Sequence, residues 1–333
     1  MSQEFLWYIP NQVDPGHRGD DVVEGHNSLA TLTEQALALE EHGWGGALIG
    51  TGWGRPDTFT VATALAARTT TFRPLIAVRP GYWRPANFAT AAATLHHLTG
   101  GRALINIVSG RDNLAAYGDA EGDQPQRYAR TKEFLQLVRR LWTEENVTFE
   151  GEHFRVEDST VVPRLTGGTP RLYFGGASEA AERVAATEAD VQLFWGEPLD
   201  GVADRIARLK RLSAELGREH APLEFGLRIT TLIRDTTDQA WSDAETKVAA
   251  MAPTTPPTRS AAARWASSAS STSSPAARSS TTTSTPPRAN SAPAAPAPPG
   301  WSAPPRRSPS PCASTATWAS PTSSSPTPLT SPS

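Results

Sequence analysis

The chain has 333 residues, with 31 Lys and Arg against 34 Asp and Glu, a formal net charge of −3. The balance is uneven: every acidic residue precedes position 253 and faces 25 basic ones there, a formal −9, which argues against a nucleic-acid surface. The single cysteine, Cys312, rules out an internal disulfide and leaves the first 252 residues without a thiol nucleophile or a thiolate metal site.

The N-terminal “MSQEFLWYIP” lacks the charged and long apolar regions of a signal peptide. No apolar run approaches the ~20 residues of a membrane span. The expectation is a soluble cytoplasmic protein.

Taken in chain order, short apolar runs alternate with helical patterns. The strand candidates are Phe5–Pro10, Gly46–Gly50, Pro74–Arg79, Ala103–Gly110, Arg171–Gly176, Val191–Gly196 and Phe225–Ile233. Near-continuous apolar runs of this length suit strands buried on both faces. Between them, “SLATLTEQALALEEHGW” sets Leu29, Leu32, Ala36 and Leu39 on one helical stripe. “RYARTKEFLQLVRRLW” does so with Phe134, Leu137, Val138 and Leu141, and “GVADRIARLKRLSAELG” with Val202, Ile206, Leu209 and Leu212 before a stop at Gly217. Residues 143–165 alternate in a β-like way and read as an inserted hairpin.

Alternating β and α units imply a parallel sheet. Seven strands fall one short of an eight-stranded α/β barrel. A doubly wound sheet is the second option, though no G-x-G-x-x-G follows the first strand. From Pro253 to Ser333 there is no Asp, Glu, Lys, Val, Ile, Phe or Tyr. Such a segment has too little apolar surface to offset its ordering entropy. The expected domains are therefore 1–252, an α/β barrel, and 253–333, a disordered low-complexity tail.

In parallel α/β folds, functional residues gather at the C-terminal strand ends. Here these ends read “GTGWGRPD”, “RPGYWRP”, “NIVSGRD”, “FGGASEAA” and “FWGEP”, with Arg228 inside the seventh strand. In “FGGASEAA”, Gly176, Ala177 and Ser178 lead from a strand into a helix. Exposed amides there, with the Ser178 hydroxyl, suit a phosphate; an ordinary turn with Ser178 as N-cap suits the residues equally. Gln124 and Tyr128 share a helical face, and Tyr128 either reaches the same anion or lies on the surface. Trp195 is a core tryptophan or a mouth residue. Arg228 in an apolar strand needs an anion or a carboxylate, because an unpaired buried charge is costly. Asn106 and Ser109 stand where they could line the same mouth. His17 belongs to a polar loop, and His96 and His97 to a helix surface. No His/Asp/Glu group has metal-ligand spacing.

Together “LIGTGWGRPDTFTVATALAARTTTFRPLIAVRPG”, “ATAAATLHHLTGGRALINIVSG”, “QRYARTKEFLQLVRRLW”, “LYFGGASEAAERVAATEADVQLFWGEP” and “FGLRITTLIRDTTDQAW” resemble the bacterial-luciferase-like flavin monooxygenases, in particular the alkanesulfonate monooxygenases. The resemblance covers nearly all of residues 1–250. It implies a TIM-type barrel and a cofactor, reduced FMN, delivered by a separate NAD(P)H-dependent flavin reductase. It also implies C–S cleavage of an organosulfur substrate with O2, giving sulfite and an aldehyde, and a homo-oligomer.

By matched position, Tyr128 and Ser178, with Gly176 and Ala177, would hold the FMN phosphate, beside Asn106 and Ser109. Trp195 and Arg228 would line the reacting centre, with His17, Arg55 and Thr230 in the substrate pocket. Three positions depart from the alkanesulfonate enzymes, which carry a cysteine at Arg55, a histidine at Thr230 and a histidine at Gln124. A sulfone or another small organic molecule therefore stays open as substrate. So do an F420-dependent oxidoreductase and a non-catalytic flavin-binding barrel.

Past residue 250 the resemblance implies further helices, a mobile segment with a second arginine, and strand eight. Read one base out of frame, the codons of Trp301 to Leu329 accommodate “LVG” and “DFVLS”, which resemble the family's last βα unit. The tail is then out-of-frame translation, and the barrel lacks strand eight, with two unpaired edges, low stability and little activity. The alternative is a genuine Pro/Ser/Ala-rich tail.

Overall fold

The computed structural model describes residues 3–11, 24–109, 113–119 and 123–251, all within one unit of the chain, Met1–Arg264. The expected tail 253–333 and His17 lie outside the described residues.

Seven parallel strands form one sheet: β1 (Leu6–Ile9), β2 (Gly46–Ile49), β3 (Pro74–Val78), β4 (Leu104–Val108), β7 (Arg171–Gly175), β8 (Val191–Trp195) and β9 (Glu224–Arg228). Between them run α1 (Leu29–Glu41), α2 (Thr58–Ala66), α3 (Pro85–Leu98), α4 (Gln124–Thr143), α5 (Glu179–Glu188) and α6 (Leu199–Glu215), and α7 (Thr237–Met251) follows β9. An antiparallel hairpin, β5 (Val147–Glu150) with β6 (Arg155–Ser159), is inserted after α4, as the alternation over 143–165 predicts. The spatial order β1-β2-β3-β4-β7-β8-β9 never reverses. A doubly wound sheet would reverse at its switch point, so this is the singly wound order of a barrel.

The helices start where local chemistry permits. Ser28 caps α1 and Asp57 caps α2 through their side chains. Asp123 and Gln126 form a reciprocal capping box at α4, satisfying two amides that the helix leaves without partners. Gly217 takes φ 65° after α6, a conformation that favours glycine.

The sheet has two apolar faces, as continuous apolar strands require. The outer face packs on the helices: Phe134, Leu137, Val138 and Leu141 of α4 are all fully buried there. Each such burial contributes roughly 2 kcal/mol. Trp142 joins α4 to α3 through its indole N–H to the Ala89 carbonyl at 3.0 Å. The inner face is a separate cluster of Leu75, Leu104, Tyr173 and Val191 with Leu6, Leu48 and Leu193. Residues from β1, β2, β3, β4, β7 and β8 meet there only because the sheet curls. Arg228 of β9 also lies over the Tyr8 ring of β1, at 5.1 Å. The result, among the described residues, is a curled, open barrel of seven strands. No ladder joins β1 to β9 among the described residues.

Three expectations change. The last strand ends at Arg228 rather than Ile233, because its one neighbour, β8, ends at Trp195 and leaves nothing to pair beyond. Leu29 is half exposed at the first turn of α1, and only Leu32, Ala36 and Leu39 of that stripe are buried. His96 is buried rather than on the surface, with Nδ1 3.3 Å from the Ala103 carbonyl, and burial pushes its pKa down.

Candidate active site

Strand alternation decides what faces the barrel mouth. Leu75, Leu104, Tyr173 and Val191 fix the inward register. Two residues further on, the same face carries Ala77, Asn106, Gly175 and Leu193; beyond these come Val108, Trp195 and, by its pairing with Trp195, Arg228.

Arg228 is the centre of this layer. Its guanidinium carbon lies 4.4 Å from the Trp195 ring centroid and 5.1 Å from that of Tyr8. Guanidinium over two aromatic faces is a cation–π arrangement that holds the group in one orientation. Trp195 is 56 % exposed, which sets aside core packing as its role. Arg55 reaches the same tyrosine from the β2–α2 loop, with Nη1 donating to the Tyr8 hydroxyl at 2.9 Å and to Asn11 Oδ1 at 3.2 Å. Asn11 in turn ties the end of β1 to that of β2 by exchanging two bonds with the Gly50 backbone. Two cations thus converge on one phenol. Thr230 lies exposed, two residues past the end of β9.

Asn106 sits below this layer on β4. It is 6 % exposed, and its buried Oδ1 has no hydrogen-bond partner among the described residues. Such an orphan costs stability and calls for an explanation at the site. Ser109 turns the other way: its hydroxyl is 2.7 Å from Thr131 Oγ1 on α4. Trp53, Tyr117 and Tyr82, from three strand-end loops, form an aromatic cluster, with Tyr82 stacked on Tyr117 at 3.9 Å.

The β7–α5 turn is built for close approach. A Cβ on Gly175 would meet nothing within 4 Å, so open space lies over it; a Cβ on Gly176 would sit 2.6 Å from that of Ala181. Ser178 caps α5, its Oγ accepting from the Ala181 amide at 3.3 Å. That uses a lone pair and leaves the hydroxyl proton to donate. The amides of Ala177, Ser178, Glu179 and Ala180 have no acceptor among the described residues. Tyr128 stands over the turn from α4. It is 6 % exposed, and its hydroxyl lies 3.5 Å from the position of a Gly176 Cβ, with no hydrogen-bond partner among the described residues. The negative charge of Glu182 in the first turn of α5 is met by Arg205 at 3.1 Å and Arg208 at 2.6 Å. Gln124 begins α4 and is exposed, so it does not share the environment of Tyr128.

Donors without acceptors, an unpartnered phenol and open space above glycine fit the phosphate end of a flavin nucleotide. The sequence profile of the Luciferase-like monooxygenase family matches residues 3–296. The chain belongs to that family. Similar folds among solved structures include a riboflavin lyase solved with modified FMN and riboflavin (TM-score 0.67, 20 % identity, covering 73 % of this chain and 66 % of that one). An EDTA monooxygenase from Chelativorans sp. BNC1 is similar too (TM-score 0.66, 18 % identity, 74 % and 67 % covered). So is an F420-dependent secondary alcohol dehydrogenase (TM-score 0.60, 17 % identity, 76 % of each chain covered). These identities show the shared fold. The chain spans 66 % of the riboflavin lyase's length.

The structure brings together Arg228, Trp195, Arg55 and Asn106 at the mouth, and Tyr128, Gly176, Ala177 and Ser178 at the turn. Sequence reasoning missed Tyr8, Asn11 and Gln192. Tyr8 was accessible by alternation, two residues beyond inward-facing Leu6. Among the described residues no helix is long and apolar enough to cross a membrane, and no cluster of metal-ligating side chains occurs.

Proposed function

We propose that this barrel belongs to an FMN-dependent two-component monooxygenase acting with O2 on a small organosulfur anion, in the manner of C–S cleavage that releases sulfite and an aldehyde. The observation that carries the reading is the β7–α5 turn, whose first amides have no acceptor among the described residues, together with Arg228 over the Tyr8 and Trp195 rings at the strand ends. When bound, reduced FMN supplies the electrons that activate O2.

Gly176, Ala177, Ser178 and Tyr128 would hold its phosphate, and Asn106 would offer its amide to the polar edge of the ring. Ser109, bonded to Thr131 one turn beyond Tyr128, fixes the helix that carries that phenol. Arg228 binds and orients the substrate's anionic group; an always-charged planar fork suits an oxyanion. Trp195 covers it and excludes water. Arg55, in place of a neutral side chain, adds positive charge at the substrate's far end, with Thr230 and His17 as further pocket residues. A separate flavin reductase is the partner implied.

The test is anaerobic titration with reduced FMN and with reduced F420, followed by sulfite release from a panel of sulfonates and sulfones in air. FMN binding with sulfite release supports the reading; F420 binding without FMN binding sinks it.

The same reading treats 1–252 as the barrel and 253–333 as out-of-frame translation, so turnover by this chain is slow and rises in a frame-restored one. Independent resequencing across the codons for 245–265 decides that point.

A further inference from the structure

We propose that Gln192 is a positioning residue that aims the Ala177 amide at the anion in the β7–α5 turn; this rests on reading that turn as the phosphate site. Gln192 lies in the middle of β8, fully buried, between Phe174 of β7 and Phe225 of β9 in register. Valine or leucine would pack there at no polar cost. Instead, its amide nitrogen donates to the Gly176 carbonyl at 2.8 Å and to the Leu193 carbonyl at 3.2 Å. Two carbonyls only accept, so nitrogen must be the atom that faces them. The cost is a buried Oε1 with no hydrogen-bond partner among the described residues.

What the fold gains follows from peptide planarity. In a trans peptide the C=O of one residue and the N–H of the next point in opposite directions. The Gly176–Ala177 bond is trans. Drawing the Gly176 carbonyl down toward the sheet therefore turns the Ala177 N–H away from it, out of the turn. Ala177 is exposed and its amide has no acceptor among the described residues. Gly176 cannot carry a side chain to hold this geometry, because its Cβ would collide with Ala181. The buried glutamine supplies from below the orientation that the glycine turn lacks by itself.

The test compares oxidised FMN with riboflavin, which lacks the phosphate, by flavin fluorescence in the full chain. Wild-type protein should bind FMN at least about tenfold more tightly than riboflavin, the scale of one charge-assisted hydrogen bond or more. Gln192→Met keeps the volume and removes the donor. It should bring the two affinities within about threefold by weakening FMN alone. Gln192→Leu, which also removes the donor, should do likewise and serves if the methionine variant does not fold. A merely structural role would lower both affinities together or neither. In wild-type protein, the Ala177 amide resonance should shift with FMN and stay in place with riboflavin, which holds whether or not either variant folds. An unchanged FMN-to-riboflavin ratio in the variants, or an Ala177 amide indifferent to FMN, overturns the role of Gln192. A wild-type chain that binds FMN and riboflavin equally overturns the phosphate site itself, and Gln192 with it.

Discussion

The two ends of the barrel treat polar groups in opposite ways. At the floor, Glu4 pairs with Arg73 and accepts from the Tyr173 hydroxyl at 3.4 Å, while Arg171 pairs with Glu224 at 2.6 Å. At the mouth, the buried Asn106 oxygen and the Tyr128 hydroxyl have no hydrogen-bond partner among the described residues. A pairing completed within the fold serves stability. A pairing left open inside a well-packed barrel serves a ligand. Mutations at the two ends should accordingly separate folding from binding.

The largest effect is expected at the floor. Gly46, where β2 begins, would place a Cβ inside contact distance of the Arg73 backbone carbonyl. Backbone cannot swing aside as a flexible side chain can. Gly46→Ala should destabilise by about 3 kcal/mol or more, read as a fall in the urea midpoint. A variant as stable as wild type would show that the floor tolerates what its geometry forbids.

At the mouth, Arg228→Met should lower affinity for an alkanesulfonate by about tenfold or more in calorimetry, with a stability change below about 1 kcal/mol. A large loss of stability with affinity retained would reverse the assignment of the two ends.

Tyr173 offers a pH test of the floor. Burial first, and then the Glu4 charge, push its phenol up to about 12. The raised value favours the neutral form in the folded protein. Its contribution to stability is therefore complete below pH 10 and is lost as pH rises from 10 toward 12. Glu4→Gln should bring the phenol's ultraviolet titration down toward 10 and weaken the high-pH loss, at a cost near 1 kcal/mol for a pair that is one-third exposed.

The smallest effect on stability belongs to Asn106→Ala. The orphan oxygen contributes no hydrogen bond, so removing it should change stability by under about 1 kcal/mol. Flavin affinity should still fall, as fluorescence titration would show.

Much of the fold was legible beforehand. Apolar runs located all seven parallel strands, because strands buried on both faces leave a run of apolar residues whatever their neighbours. The hairpin after α4 was legible from alternation, and the β7–α5 turn from its glycines and Ser178. The end of β9 was not, since “ITTLI” has the composition of a strand and stops only for want of a neighbour. His96 misled for a related reason: a polar residue at the end of a helix does not announce which way it faces.

What the residues alone determined is thus the βα alternation, the polar strand ends and the place of an arginine inside an apolar strand, for which they suggested an anion or a carboxylate rather than the two aromatic rings it lies over. Tertiary structure decided the rest. The curl of the sheet set Arg228 against Tyr8, more than two hundred residues away in sequence. The pleat turned Ser109 toward α4 and Asn106 toward the mouth. The lateral register of β8 put Gln192 beneath Gly176. Each outcome depends on which face a strand presents and which strand lies beside it, and those are properties of the assembled sheet rather than of any one segment.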